Sequence, residues 1–148
     1  MDTNQIDILL VEDNVDEAEL TIRALKKAKQ ATILVHVQSG EEALDFIFCQ
    51  GDYKARNIQY IPKLILLDLK MPRVDGIEIL RRIKWDERTK IIPTVVLTSS
   101  KEEVDIQKSY QLGANSYFVK PVDFDGFVDA ISSLTYYWLE LNQPPNKL

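Results

Sequence analysis

The sequence has 148 residues, of which 45% are hydrophobic and 28% are charged, as expected for one globular domain that buries its own core. The net charge of −5 and the isoelectric point near 4.9 argue against a nucleic-acid-binding protein, because lysine and arginine are not in surplus to neutralise phosphates. No apolar run is long enough to cross a membrane, and the single cysteine fits a reducing, cytoplasmic compartment.

The first third of the chain contains two apolar runs, each followed by an amphipathic stretch. IDILLVED, from Ile6 to Asp13, predicts a buried strand. From Asn14 to Lys29 apolar residues recur every three or four positions, which predicts a helix. ATILVHV, which starts at Ala31, predicts a second strand, and Ser39 followed three residues later by Glu42 predicts a capping box that opens a second helix.

The middle of the chain repeats this order after a polar stretch. We expect residues 50–60 to form an exposed loop. KLILLDL then predicts a third strand, residues 75–85 a third helix with Trp85 packed at its end, and IIPTVVLTS a fourth strand.

The last third predicts one more helix, a strand and a final helix. Ser100 and Glu103 form a second capping-box pattern, and Gly113 is a typical residue to end the helix that follows. NSYFVK predicts a fifth strand, and the last helix begins at Phe124.

Strict alternation of strands and helices predicts an α/β fold in which a doubly wound parallel sheet is covered on both faces. The strands are continuous apolar runs, as expected for strands that are buried on both sides. With five units, we expect the flavodoxin-like (βα)5 order 2-1-3-4-5, whose ligand site lies at the carboxyl ends of the strands.

Polar side chains follow these strands at the carboxyl ends. They are Glu12 and Asp13 after the first strand, Asp68 after the third, Thr98 at the end of the fourth and Lys120 after the fifth. Clustered carboxylates raise each other's pKa unless a cation compensates, and oxygen ligands without histidine or cysteine favour Mg²⁺ over zinc. A metal, a lysine and a hydroxyl around a carboxylate are typical of phosphoryl transfer with Asp68 as the nucleophile.

Each of these residues alone has an ordinary explanation. Glu12 and Asp13 could favour the start of the first helix, and Thr98 is a common type of strand residue. Lys120 could be a surface lysine, and His36 most simply has a structural role. The functional interpretation depends on the whole group.

Four segments in order resemble the receiver domain of two-component response regulators. They are ILLVEDN, LILLDLKMPRVDG, VVLTSS and GANSYFVKP. The resemblance covers nearly the whole chain, so we expect one receiver domain over residues 1–148, with a core at about 6–135 and a helical extension to about 142. It implies a signalling protein that is not an enzyme and that acts through protein contacts without an appended output domain.

The resemblance also implies roles for the site residues. Glu12, Asp13 and Asp68 would hold Mg²⁺ together with the backbone carbonyl of Lys70. Asp68 would accept phosphate from a histidine kinase.

The remaining implied roles concern the response to phosphate. Thr98 and Tyr117 would be the switch residues, and Lys120 would pair with the phosphate. The Lys120–Pro121 bond is expected to be cis, as in the family.

The C-terminal helix carries an apolar stripe past the expected end of a receiver domain. Tyr136, Tyr137 and Trp138 add aromatic surface there, which predicts a homodimer through the fourth helix, the fifth strand and the fifth helix. This tail and the long loop resemble stand-alone regulators that are paired with cyanobacterial phytochrome kinases.

Two alternative functions remain open. One is an Mg²⁺-dependent phosphohydrolase with an aspartyl-phosphate intermediate, although such an enzyme usually has an acid two residues after the nucleophile, where this chain has Lys70. The other is a scaffold that works without phosphorylation.

Overall fold

The computed structural model describes residues 6–27 and 32–145, and in these ranges five strands alternate with five α-helices. The strands are Ile8–Val11 (β1), Leu34–Val37 (β2), Leu64–Leu67 (β3), Thr94–Thr98 (β4) and Ser116–Val119 (β5). The helices are Val15–Lys27 (α1), Gly40–Ile47 (α2), Gly76–Trp85 (α3), Glu103–Gln111 (α4) and Phe124–Tyr136 (α5). A 3-10 turn, Gly51–Tyr53, follows α2, and a π-helical turn, Tyr137–Leu141, extends α5.

The five strands form one parallel sheet in the order β2-β1-β3-β4-β5, which confirms the predicted flavodoxin-like topology. Val11 pairs with both Val37 and Leu67, so β1, β2 and β3 end level with one another. The ladder continues one residue further, where the Asp68 amide donates to the Val11 carbonyl at 3.1 Å. This register brings the residues after β1 and β3 to the same edge of the sheet.

Both faces of the sheet are covered by helices, because successive strand residues point to opposite sides. Leu9, Val11, Ile65 and Leu67 pack with side chains of α2 and α3 that include Phe46, Ile79, Leu80 and Ile83. Ile8, Leu10, Leu64 and Leu66 pack with α1 and α5 side chains that include Ala18, Leu25, Phe127 and Ile131. In the described ranges, no helix combines the length and the apolar character that a membrane span requires.

The predicted helix starts are correct for α2 and wrong for α4. Ser39 caps α2 by accepting a hydrogen bond from the Glu42 amide at 3.0 Å. The predicted cap of α4 does not form, because Ser100 lies two residues before the N-cap position and its hydroxyl donates to Asp105 Oδ2 at 2.6 Å. The predicted end of the first helix at Lys29 and the predicted strand start at Ala31 lie outside the described residues.

Three further predictions need correction. Trp85 does not pack, because it is the last residue of α3 and 84% of its surface is exposed. No cis peptide bond occurs in the described ranges, so the Lys120–Pro121 bond is trans, the isomer that costs less even before proline. The 50–60 segment is only partly exposed: Arg56 is buried against the ring of Phe46, 3.9 Å from its centroid, and donates to the carbonyls of Phe46 and Tyr60.

Candidate functional site

Three carboxylates converge at the carboxyl edge of the sheet. Glu12 and Asp13 follow β1 and Asp68 follows β3, and one oxygen from each lies within 4.8 Å of the others. Glu12 is 2% exposed and Asp68 is 8% exposed, whereas Asp13 is half-buried. The donor set consists of carboxylate oxygens, which suits a hard divalent cation such as Mg²⁺ or Mn²⁺.

The electrostatics of this cluster are unfavourable without a cation. Burial, followed by the charge of Glu12, raises the pKa of Asp68 from 3.8 to about 7, although Lys120 acts in the opposite direction. A carboxylate that is kept charged here at neutral pH therefore costs stability, and a divalent cation bound to the three residues would remove this cost.

Lys120 follows β5, and its side chain is only 9% exposed. Its Nζ lies 2.8 Å from Glu12 Oε1 and 3.1 Å from Glu17 Oε1. Burial alone would lower the pKa of Lys120, but the hydrogen bond with Glu12 and the charges of Glu12, Asp68 and Glu17 raise it. The ammonium group therefore stays charged in the site.

Sequence reasoning missed Glu17. It lies on the first turn of α1, where an acidic residue is readily interpreted as a favourable charge at a helix start. The available signal was its position: Glu17 lies in the first turn of the helix that follows the first strand, and this turn begins at the edge of the sheet where the site lies.

Thr98 and Tyr117 both contact Ser100 in the loop between β4 and α4. Thr98 is 1% exposed, and its hydroxyl accepts a hydrogen bond from the Ser100 amide at 3.3 Å. The Tyr117 hydroxyl donates to the Ser100 carbonyl at 3.0 Å. A movement of this loop would therefore reach both side chains.

The side chain of Lys70 leaves the carboxylate cluster and reaches α4. Its Nζ lies 3.1 Å from Asp105 Oδ2, the oxygen that also accepts the bond from the Ser100 hydroxyl. The loop after β3 is thereby tied to the first turn of α4 and to the loop after β4.

These residues surround a cavity of about 910 Å³ that is open to solvent. Its wall consists of Asp13, Asn14, Glu17, Asp68, Lys70, Thr98, Ser99, Ser100, Lys101, Glu102 and Lys120. The structure thus brings Asp13, Asp68, Lys70, Thr98 and Lys120 to one cavity, with Glu12 beneath it.

Two residues outside the cavity wall contact the backbone of the site residues Asp68 and Glu12. A Cβ at Gly76 would lie 2.2 Å from the Asp68 carbonyl oxygen, so only glycine allows α3 to start this close to the strand end. His36 Nε2 lies 2.8 Å from the Glu12 carbonyl oxygen, which agrees with the structural role expected for it.

The aromatic residues at the end of α5 and in the turn that follows it lie on a different part of the surface. Tyr136 is 51% exposed and Tyr137 is 49% exposed, and Leu141 beyond them is 56% exposed. Trp138 is half-buried and packs against the α1–α5 core, with its ring edge-on to Tyr137 at 5.1 Å. The exposed aromatic surface therefore comes from the two tyrosines more than from Trp138.

Comparison of the sequence with known proteins finds similar regulatory proteins. The chain is 37% identical over 139 residues to the probable methanogenesis regulatory protein FilR2 of Methanothrix harundinacea, covering 93% of this chain and 86% of that protein. It is 37% identical over 133 residues to the response regulator Rcp1 of Synechocystis, covering 90% of this chain and 88% of that protein.

Solved structures of response regulators are also similar to this chain. The Mn²⁺-bound form of Rcp1 superposes with a TM-score of 0.86 at 35% identity, covering 95% of this chain and 99% of that one. The phosphorylated cyanobacterial phytochrome response regulator RcpA superposes with a TM-score of 0.88 at 35% identity, covering 96% and 99%.

The family model of the response regulator receiver domain matches residues 8–132, a range that runs from β1 into α5 and includes every residue of the carboxylate cluster and Lys120. Together with the two relatives, this match shows that the chain belongs to the response regulator receiver domain family.

Proposed function

We propose that this protein is a phosphorylation-dependent signalling switch in which Asp68 accepts a phosphoryl group from a histidine kinase with the help of Mg²⁺. The observation that carries the proposal is the position of the buried Asp68 carboxylate. One of its oxygens lies within 4.8 Å of oxygens of Glu12 and Asp13, and its charge interacts with that of Lys120. Three carboxylates that lie this close together, two of them buried, are unfavourable without a cation, and the donor set fits a divalent cation.

The proposed transfer uses residues of this chain in defined roles. Glu12, Asp13 and Asp68, with the backbone carbonyl of Lys70, would hold Mg²⁺, which would neutralise charge on the carboxylates and on the phosphoryl oxygens. An Asp68 oxygen forms a bond to phosphorus while the bond between phosphorus and the donor imidazole breaks, and the imidazole nitrogen keeps the electron pair. Lys120 compensates the added negative charge.

The response to phosphorylation would start at Thr98. Its buried hydroxyl can donate to a phosphoryl oxygen if it turns towards Asp68, and this movement would alter its bond with the Ser100 amide. The Tyr117 hydroxyl donates a hydrogen bond to the Ser100 carbonyl. We therefore propose Thr98 and Tyr117 as the switch pair that changes the surface near α4.

The kinase partner is proposed to be of the phytochrome type. RcpA is a phytochrome response regulator, and its structure covers almost the whole chain. Exposed apolar side chains of Val15, Leu20 and Val122 offer a contact surface on α1 and after β5. Such a kinase would meet the protein in the cytoplasm. Phosphotransfer from a panel of purified histidine kinases to the wild type and to Asp68→Asn would identify the donor.

We also propose a homodimer through α4, β5 and α5. Exposed apolar residues on α4, at the end of α5 and in the turn after it support the proposal, namely Val104, Tyr110, Tyr136, Tyr137 and Leu141. Sedimentation velocity of the wild type and of a Tyr136→Ser/Tyr137→Ser variant, with and without beryllofluoride, tests the proposal. Trp85→Ser is the control, because it removes an even more exposed aromatic side chain, on α3 and outside the proposed interface. A wild type that stays monomeric at high concentration under both conditions would contradict it.

Incubation with acetyl phosphate and Mg²⁺ tests the central proposal. A switch accumulates one labile phosphate per chain, which hydroxylamine removes because it is an acyl phosphate. Asp68→Asn accumulates none. Continuous release of phosphate in many turnovers would indicate a phosphohydrolase instead. A kinase-dependent response that persists in Asp68→Asn would indicate a scaffold that needs no phosphorylation.

A further inference from the structure

Lys120 divides its ammonium group between two carboxylates that differ in burial. The side chain of Glu12 is 3% exposed, whereas that of Glu17 is 40% exposed. Glu12 also accepts a hydrogen bond from the Asn14 amide at 3.3 Å, so it is fixed within the turn after β1. Glu17 sits on α1 at the rim of the site, where its carboxylate has access to water.

The site therefore contains a fourth acidic side chain beyond the three of the carboxylate cluster. Glu17 lines the same cavity as Asp68 and Lys120, and its charge contributes to the raised pKa of Asp68. If Asp68 is phosphorylated as proposed above, a doubly charged phosphoryl group must enter a cavity in which Lys120 is already paired with the Glu17 carboxylate. Like charges that share a partner compete for it.

The two partners of Lys120 cannot be released with equal ease. If Lys120 left Glu12, a buried carboxylate would lose its lysine partner and would depend on the bound metal ion alone to compensate its charge, which is unfavourable. If it left Glu17, the released carboxylate could be solvated by water, because ion pairs at exposed groups contribute little. The ammonium group can therefore reach a phosphoryl oxygen at least cost by giving up Glu17.

We propose that Glu17 is an exchangeable counter-ion that holds Lys120 while Asp68 is unmodified and releases it when a phosphoryl group arrives. This inference rests on the proposed function of Asp68. Glu17 acts through Lys120 and is a positioning residue that restrains phosphorylation.

The release of Glu17 would also change the charge of the neighbouring surface. Glu17 lines a second cavity of about 400 Å³, whose wall includes Leu20, Val122 and Phe124. Once Lys120 turns to the phosphoryl group, an uncompensated carboxylate stands at the edge of this apolar cavity. A partner that binds there would meet one more negative charge on the phosphorylated protein than on the unmodified one.

Glu17→Gln tests this inference, because the amide keeps an oxygen that can accept a bond from Lys120 and loses the charge. With saturating Mg²⁺, we expect it to bind beryllofluoride about three to ten times more tightly than the wild type and to be phosphorylated faster by acetyl phosphate. Glu17→Asp, which restores the charge, should return both values towards those of the wild type. Glu19→Gln is the matched control, since it removes an exposed carboxylate from the same helix.

The possible results separate the two proposals. If the wild type accepts phosphate but Glu17→Gln binds beryllofluoride equally or less tightly, Glu17 does not restrain the site and the inference is wrong. An equal gain in Glu17→Asp would also overturn it, because the effect would then not depend on charge. If the wild type accepts neither beryllofluoride nor phosphate, the proposed function fails, and the role of Glu17 fails with it.

Discussion

Asp68→Asn should make the metal-free protein more stable at pH 8, although it removes the residue on which the proposed function depends. The folded protein holds Asp68 in a buried position beside Glu12, which raises its pKa from 3.8 to about 7. At pH 8 the wild type must therefore keep a charge in a place that favours the protonated acid. Asparagine has nearly the same shape and carries no charge.

The size of the gain follows from the pKa difference. The two values differ by about three, and each pH unit corresponds to about 1.4 kcal/mol, so the upper limit is about 4 kcal/mol. The sign follows from proton binding: between about pH 4 and pH 7 the folded state keeps a proton that the unfolded state has lost. The stability of the wild type therefore falls as pH rises through this range, and the advantage of Asp68→Asn grows until about pH 7 and then stays constant.

Urea unfolding of both proteins in EDTA, from pH 4 to pH 8, measures this difference. Asp129→Asn, an exposed change on α5, is the control and should follow the wild type. Adding Mg²⁺ at a hundred times its dissociation constant should stabilise the wild type by about 2.7 kcal/mol. Asp68→Asn, with one ligand fewer, should gain less.

Two results would refute this reasoning. One is an Asp68→Asn variant that is no more stable than the wild type at pH 8 in EDTA. The other is a stability gap of equal size at pH 4 and pH 8, since a gap that arises from ionisation must close when both states are protonated.

Three other substitutions give separate expectations. Lys120→Met should abolish phosphorylation by acetyl phosphate and cost about 3–5 kcal/mol in EDTA, because Glu12 loses its buried partner; urea unfolding at pH 7 that shows no loss would contradict this. Gly76→Ala should cost about 1–3 kcal/mol and slow phosphorylation, since the added methyl group collides with the Asp68 carbonyl; unchanged rates of acetyl phosphate labelling would count against it. Arg56→Met should cost about 1–3 kcal/mol by removing the hydrogen bonds that Arg56 donates to the Phe46 and Tyr60 carbonyls, with faster hydrogen exchange in residues 50–60 and unchanged phosphorylation; equal exchange would disprove the anchoring role.

The strand order and the position of the site could be predicted from sequence for one physical reason. Apolar runs that alternate with amphipathic helices allow few topologies, and in a parallel sheet the residues after each strand share one edge. The polar residues at positions 12, 68 and 120 therefore had to come close together, and in the structure Lys120 bonds Glu12 at 2.8 Å.

The sequence did not predict features that depend on side-chain direction. Lys70 is next to the site in sequence, but its ammonium group pairs with Asp105 on another element. Glu17 has the pattern of an ordinary acid at a helix start and bonds Lys120 instead. Trp85 is apolar at a helix end, yet 84% of it is exposed. Periodicity defines the face of a helix, whereas these contacts depend on rotamers and on where a neighbouring loop lies.

Ser100 has a consequence for dynamics. Its amide, carbonyl and hydroxyl groups bond Thr98, Tyr117 and Asp105, which belong to three different secondary-structure elements. If one of these hydrogen bonds breaks alone, the other two oppose the displacement of the loop. We therefore expect no low-energy intermediate between the two positions of the loop. Relaxation-dispersion NMR of the phosphorylated protein should then yield a single exchange rate common to all three residues.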